Sequence, residues 1–193
     1  VHSDGGPPFA WPEGAPALAA GTSKAAARLA LATLRALRLG PAAERRALRA
    51  AVDPPSLPAR RELFALDRDR SVLLDGAHNP SAAFALAADA PPGAHVLLGV
   101  ASRKDAARIR DVFAHAPRTT LTAAIPGERP WHDDPAFVAD AEDALEAALE
   151  TLPRGGTLIV TGSFYLAGRL RSTLRRRSAA TGCERAPRYA RSS

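Results

Sequence analysis

The chain has 193 residues, 26 basic and 20 acidic side chains, a formal net charge of +6 and one cysteine. That length suits one domain with extensions, or two very small domains. The lone Cys183 excludes an internal disulfide and a thiolate zinc site, which fits a reducing cytoplasm.

No apolar run reaches the roughly 18 to 20 residues that a bilayer span needs, so no membrane partner is expected. The start, Val1-His2-Ser3-Asp4-Gly5-Gly6, lacks the basic and apolar regions of a signal peptide. The positive charge is local. Residues 169–191 hold eight arginines and one acid, Glu184, and without them the chain is nearly neutral. The expected end of the chain, 178–193, is therefore an Arg-rich disordered tail, and nucleic acid is not expected as a partner.

Residues 1–20 are rich in Gly, Pro and Ala and show no period. Between Ser23 and Leu39, Leu29, Leu31, Leu34 and Leu37 recur at helical spacing until Gly40-Pro41. A second helix is predicted over Ala42–Val52, and Asp53-Pro54-Pro55-Ser56 reads as a linker. Strands are then predicted at Glu62–Ala65, Ser71–Leu74, His95–Val100, Thr119–Ile125, Phe137–Ala139 and Thr157–Thr161. Helices are predicted at Ser81–Ala90, Lys104–Ala114, Ala141–Leu152 and Tyr165–Arg177. Strands joined through helices imply an α/β fold with a mostly parallel sheet and right-handed crossings.

Asp75-Gly76-Ala77-His78-Asn79-Pro80 sits between a predicted strand and a predicted helix. Pro80 suits the first helical position and Asn79 the N-cap. In a parallel sheet the loops Asp75–Asn79, Ala101–Asp105 and Thr161–Ser163 leave one edge, joined by Pro126–Asp134. Asp75, His78, Lys104 and Ser163 are thus expected to face one cleft, at the edge where open α/β sheets bind ligands.

Four stretches, in order, resemble motifs of one family. Asp75–Pro80 is similar to the signature of the C-terminal domain of folylpolyglutamate synthase and dihydrofolate synthase, in the Mur ligase superfamily. Pro58-Ala59-Arg60-Arg61-Glu62 resembles its Pro-Gly-Arg-x-Glu. Gly99–Asp105 resembles Gly-Val-x-x-x-Lys-Asp. Thr161-Gly162-Ser163-Phe164-Tyr165-Leu166 resembles Thr-Gly-Ser-Leu-Tyr-Leu. The resemblance implies a Rossmann-like domain of the Mur ligase C-terminal type, with flanking helices, over 55–177. It also implies that 1–54 is a remnant of the end of the ligase central domain.

The implied chemistry is ATP-dependent joining of a carboxylate to an amine. A folate substrate is phosphorylated, glutamate attacks the acyl phosphate, and phosphate leaves; Mg2+ assists from ligands mostly in upstream domains. By resemblance, Arg60 contacts nucleotide phosphates and Asp75 the ribose hydroxyls. His78 helps orient glutamate or the nucleotide, and Ser163 and Lys104 contact the amino-acid substrate. Simpler roles stand beside these: a surface arginine, a carboxylate at a helix N-terminus, a backbone-bonded histidine, a helix cap at Ser163, and a Lys104 ion pair with Asp105 or Asp111. His132, Asp133 and Asp134 have no metal-site spacing, and no metal ligand is expected in this stretch.

The chain departs from the pattern in several places. No Gly-x-x-x-x-Gly-Lys-Ser/Thr occurs in it, so this chain alone is expected to be inactive. Ala27 stands where the family has an adenine-contacting asparagine, and Ala59 where it has glycine. The segment after Ile125 reads as one helix shorter. The alternative is a non-catalytic Rossmann-like module, from a truncated or repurposed gene, that binds a nucleotide or a protein.

Overall fold

The computed structural model describes residues 24–52 and 57–181, apart from Arg68 and Arg129. The Gly/Pro/Ala-rich start, the Asp53–Ser56 linker, the Ala27 side chain and the chain beyond Thr181, with Cys183, lie outside the described residues. The described residues divide into two units between 52 and 57.

The first unit is a pair of helices, α1 (Lys24–Ala36) and α2 (Gly40–Val52). α1 stops short of the expected Leu39 because Arg38 takes φ +52 and Leu39 N–H donates back to Leu34 O at 3.2 Å. That back-bond is a Schellman-type ending. Pro41 does not break α2 but lies in its first turn, where a missing N–H costs nothing. Arg35 Nε meets Glu44 across the pair at 3.1 Å, an exposed contact worth little.

The second unit is a six-stranded sheet with helices on both faces. In chain order come β1 (Glu62–Ala65), β2 (Ser71–Leu74), α3 (Pro80–Ala88), β3 (His95–Leu98), α4 (Ala106–Val112) and β4 (Thr119–Thr122). β5 (Phe137–Val138), α5 (Ala141–Glu150), β6 (Thr157–Thr161) and α6 (Phe164–Ala180) follow. The strand order is β1-β2-β6-β3-β4-β5. β1 is the antiparallel edge strand and every other pairing is parallel, as the alternation of elements predicted.

Strand alternation builds two cores. Val72, Leu74, Leu97, Leu158 and Val160 face α5 and α6, with Leu145, Leu149, Leu166, Leu170 and Leu174. Leu73, Val96, Leu98, Leu121 and Ile159 face α3 and α4, with Ala83, Leu86, Ile109 and Phe113. Each fully buried leucine or isoleucine stabilises the fold by about 1.5 to 3 kcal/mol relative to an exposed one.

Several boundaries differ from expectation by a few residues, each for a local reason. β3 ends at Leu98 and the chain turns at Lys104 N–H to Ala101 O, 2.9 Å. β4 ends before the turn closed by Glu128 N–H to Ile125 O, 3.1 Å. α4 starts at Ala106 because Asp105 caps it, accepting from Arg108 N–H at 3.2 Å. α6 runs on through Ala180, so Ser178–Ala180, expected in the tail, are helical. Buried Leu174 and the ion pair of Arg177 with Glu146 of α5 carry the helix past Arg177. No helix separates β4 from β5. Among the described residues, no helix is long and apolar enough to cross a membrane.

Candidate functional site

Topology sets the place. The chain leaves β2 for α3 on one face of the sheet, and leaves the neighbouring β6 for α6 on the other. Adjacent strands that send their connections to opposite faces open a crevice at their carboxyl ends, a topological switch point. The loops Asp75–Asn79 and Gly162–Ser163 flank it, and Leu57–Arg61, which enters the edge strand β1, comes up beside them.

The Leu57–Arg61 loop is held by its backbone. Gly76 N–H donates to Ala59 O at 2.8 Å, and Arg61 N–H to Asp75 Oδ2 at 3.0 Å. Ala59 N–H donates to Glu62 Oε2 at 3.0 Å. Arg171 of α6 grips the same carboxylate, its Nε 2.7 Å from Oε2 and its Nη2 2.8 Å from Oε1. Burial pushes the Glu62 pKa up. The Arg171 hydrogen bond, the Ala59 N–H and the charges of Arg171 and Arg175 outweigh burial, so Glu62 titrates below an ordinary glutamate. Ala59 and Arg61 both take left-handed φ, +53° and +51°. The position of Ala59 explains why glycine is at home in the resembled motif. A side chain there costs roughly 1 kcal/mol.

Arg60, between those two residues, projects outward. Its Cζ lies 4.6 Å from the centroid of the Phe164 ring. Its guanidinium N–H groups have no partner among the described residues. His78 lies against the same ring, with centroids 5.6 Å apart and planes at 56°. His78 Nδ1 is 2.9 Å from Gly76 O. A carbonyl only accepts, so Nδ1 carries the hydrogen and donates, which leaves Nε2 as the acceptor nitrogen of the neutral ring.

Asp75 and Ser163 are turned inward. Asp75 is buried, and each carboxylate oxygen already accepts a backbone hydrogen bond: Oδ2 from Arg61, and Oδ1 from Ala77 N–H at 2.8 Å. Ser163 is the N-cap of α6, and its buried Oγ accepts from Tyr165 N–H at 3.0 Å. Asn79 caps α3 and Pro80 opens it, as the sequence predicts.

Lys104 leaves the same edge but stands apart. It is exposed, and no hydrogen bond, ion pair or ring contact joins its side chain to Arg60, Asp75, His78 or Ser163 among the described residues. Neither does it pair with Asp105 or Asp111; Asp105 faces Arg108 at 3.7 Å. Asp134 pairs with Arg110 at 2.7 Å, and His132 Nε2 lies 3.1 Å from exposed Asp133. Among the described residues, no group of three or more His, Cys, Asp or Glu could hold a metal ion.

Phe164 is the residue that sequence reasoning missed. It occupies a leucine position of the resembled motif, and only its partners in space mark it. Gly76 lies directly under the ring: a Cβ there would come within 2.3 Å of Phe164 Cε1.

No family model matches the sequence, and no curated protein does. Solved structures do. A bifunctional folylpolyglutamate synthase/dihydrofolate synthase of Yersinia pestis, complexed with AMPPNP and Mn ion, is 26% identical with TM-score 0.67, over 84% of this chain and 41% of its own. Another structure of the Yersinia pestis enzyme is 25% identical with TM-score 0.66, over 81% of this chain and 40% of its own. The folylpolyglutamate synthase of Mycobacterium tuberculosis, complexed with ADP and AMPPCP, is 24% identical with TM-score 0.59, over 78% of this chain and 39% of its own. The chain therefore spans about two fifths of the length of these enzymes. Its α/β body has the fold of their C-terminal domain, and the likeness seen in four short motifs extends to the three-dimensional structure.

Proposed function

We propose that this chain is the C-terminal portion of an ATP-dependent folate ligase that adds L-glutamate to dihydropteroate or tetrahydrofolate through an acyl phosphate. The observation that carries the reading is Arg60. Its guanidinium stands at the switch-point edge, its Cζ over the Phe164 ring at 4.6 Å, with no N–H partner among the described residues. A planar fork of donors suits two phosphate oxygens of a nucleotide. His78, against the same ring, is assigned to orienting glutamate or the nucleotide. The rotatable hydroxyl of Ser163 and the exposed Lys104 are assigned to glutamate.

Asp75 reaches the nucleotide in two ways in this reading. One lone pair on each oxygen remains for a ribose hydroxyl. Its bond to Arg61 N–H also fixes the loop that presents Arg60. By the same resemblance, the Mg2+ that accompanies ATP is assigned mostly to ligands in upstream ligase domains. In the proposed setting the complete enzyme works in the cytoplasm with upstream domains as its partner, and the first helical pair closes the central domain. The 193-residue chain alone forms no glutamylated folate, because it contains no phosphate-binding Gly-rich loop.

The test is an assembly of this chain with upstream ligase domains. Arg60→Ala removes a charge-assisted bond worth about 1.5 to 3 kcal/mol, so apparent ATP affinity falls roughly ten- to a hundredfold. Unchanged ATP dependence in a folded variant, shown by circular dichroism, refutes the reading.

A second reading, a nucleotide-binding module without catalysis, is favoured by the inward turn of Asp75 and Ser163 onto backbone amides. It predicts Arg60-dependent nucleotide binding with no ligation in that assembly.

A further inference from the structure

We infer that Phe164 is a positioning residue for polyphosphate: its ring, which also meets the His78 imidazole, holds the Arg60 guanidinium in place to receive an anion. The inference rests on the nucleotide reading of Arg60 and adds the part that prepares it.

Phe164 is well placed to hold other groups still. It is the first residue of α6, between the Ser163 cap and fully buried Leu166. Its ring lies on the backbone of Gly76, where no Cβ fits. Phe164 stays 39% exposed, so its ring rests on the β2 loop without being enclosed. Arg60 sits 4.6 Å from the centroid, within the range of cation–π attraction. His78 contacts the same ring, and its own Nδ1–H is tied to Gly76 O.

Contact with the ring gives none of the Arg60 N–H groups a conventional acceptor, so they remain for an anion. It also restrains a long side chain before binding, which lowers the entropy lost when phosphate is gripped. Among the described residues no carboxylate pairs with Arg60: Glu62 is held by Arg171, and each Asp75 oxygen accepts from a backbone amide. The leucine of the resembled motif would fill the space above Gly76 but has no ring quadrupole to attract the cation.

The test uses the full chain and inorganic tripolyphosphate at low ionic strength, with affinity from titration calorimetry and the arginine Nε–Hε resonances from NMR. Arg60 Hε is assigned by its loss in Arg60→Lys. In the wild type it is expected upfield of the other arginines and to move on adding tripolyphosphate. Phe164→Leu abolishes the upfield displacement and weakens binding about two- to fivefold. Phe164→Tyr, which keeps the ring, restores both.

Tripolyphosphate binding that depends on Arg60 but is equal in wild type and Phe164→Leu overturns the role of Phe164 and leaves the nucleotide reading standing. Binding that is absent, or indifferent to Arg60→Ala, overturns both. Should Phe164→Leu not fold, an ordinary Arg60 Hε position in the wild type overturns the inference by itself.

Discussion

Around the ends of β2 and β6, charged and polar side chains close onto backbone amides. Asp75 takes Arg61 and Ala77, Glu62 takes Ala59 and Arg171, and Ser163 takes Tyr165. Around the ends of β3 and β4 the ties are fewer. Lys104 is exposed without a side-chain partner, Ser102 N–H meets Glu128 in an exposed bond of 3.0 Å, and Thr122 Oγ1 is buried with no partner among the described residues. Both halves leave the same edge of the same parallel sheet. Topology therefore delivers loops to a site, while their rigidity depends on which side chains satisfy the free amides beyond each strand. In this chain the half that presents Arg60 is built, and the half that presents Lys104 is only located.

The strongest way to break the comparison is at the seam. Gly162 follows β6 with φ +103°, and a Cβ there would lie 2.6 Å from Gly99 O at the end of β3. Gly162→Ala is expected to cost about 3 to 5 kcal/mol, from backbone strain and a clash with a main-chain atom that cannot swing away. Urea denaturation measures this; a loss under about 1 kcal/mol would mean that the two strands separate easily there.

On the built side, Asp75→Ala strands two amides at once and is expected to cost about 2 to 4 kcal/mol. Asp75→Asn should cost less but not nothing, because its amide nitrogen must face one of two backbone N–H donors. Equal denaturation midpoints for Asp75→Ala and wild type would show that the loop does not depend on the carboxylate.

Glu62 links the same side to pH. Its folded pKa lies below the ordinary value, so its contribution is complete above about pH 4.3 and is lost as pH falls through the folded pKa. Glu62→Gln should cost about 1 to 2 kcal/mol at neutral pH, and the gap from wild type should close on acidification below about pH 4. A gap that persists at pH 2 would assign the effect to packing instead of charge.

The smallest effects belong to the open side. Thr122→Val removes a buried hydroxyl without changing shape, and a gain of up to about 1 kcal/mol is expected. Lys104→Ala should shift stability by less than about 0.5 kcal/mol. A larger loss in thermal or urea denaturation for Lys104→Ala would reveal a contact and erase the contrast.

The sequence by itself determined the elements and their punctuation. Strands at Glu62–Ala65, Ser71–Leu74 and Thr157–Thr161, the Asn79 cap and Pro80 at the start of α3 are all local matters, decided by neighbours within one turn or pleat. The same local rules extended to the mostly parallel sheet, because crossings through helices demand it. Where local signals were weak the boundaries moved: α6 ran on through Ala180 because its packing against α5 outweighs an Arg-rich composition.

Only the tertiary structure decided the strand order and what it gathers. β6, the last strand, inserts between β2 and β3, with partners 86 and 63 residues away (Ser71 with Thr157, His95 with Leu158) that no periodicity encodes. That insertion brings Phe164 onto Gly76 and under Arg60, while the β1–β2 pairing brings the Asp75 carboxylate to the amide of Arg61. Sequence motifs named Arg60, Asp75, His78, Ser163 and Lys104 as equals. Contacts between distant segments separated the two that meet a common ring from the two that secure the backbone and the one that stands alone. Capping and periodicity are short-range energies, whereas ring contacts and captured amides exist only after the chain has closed on itself.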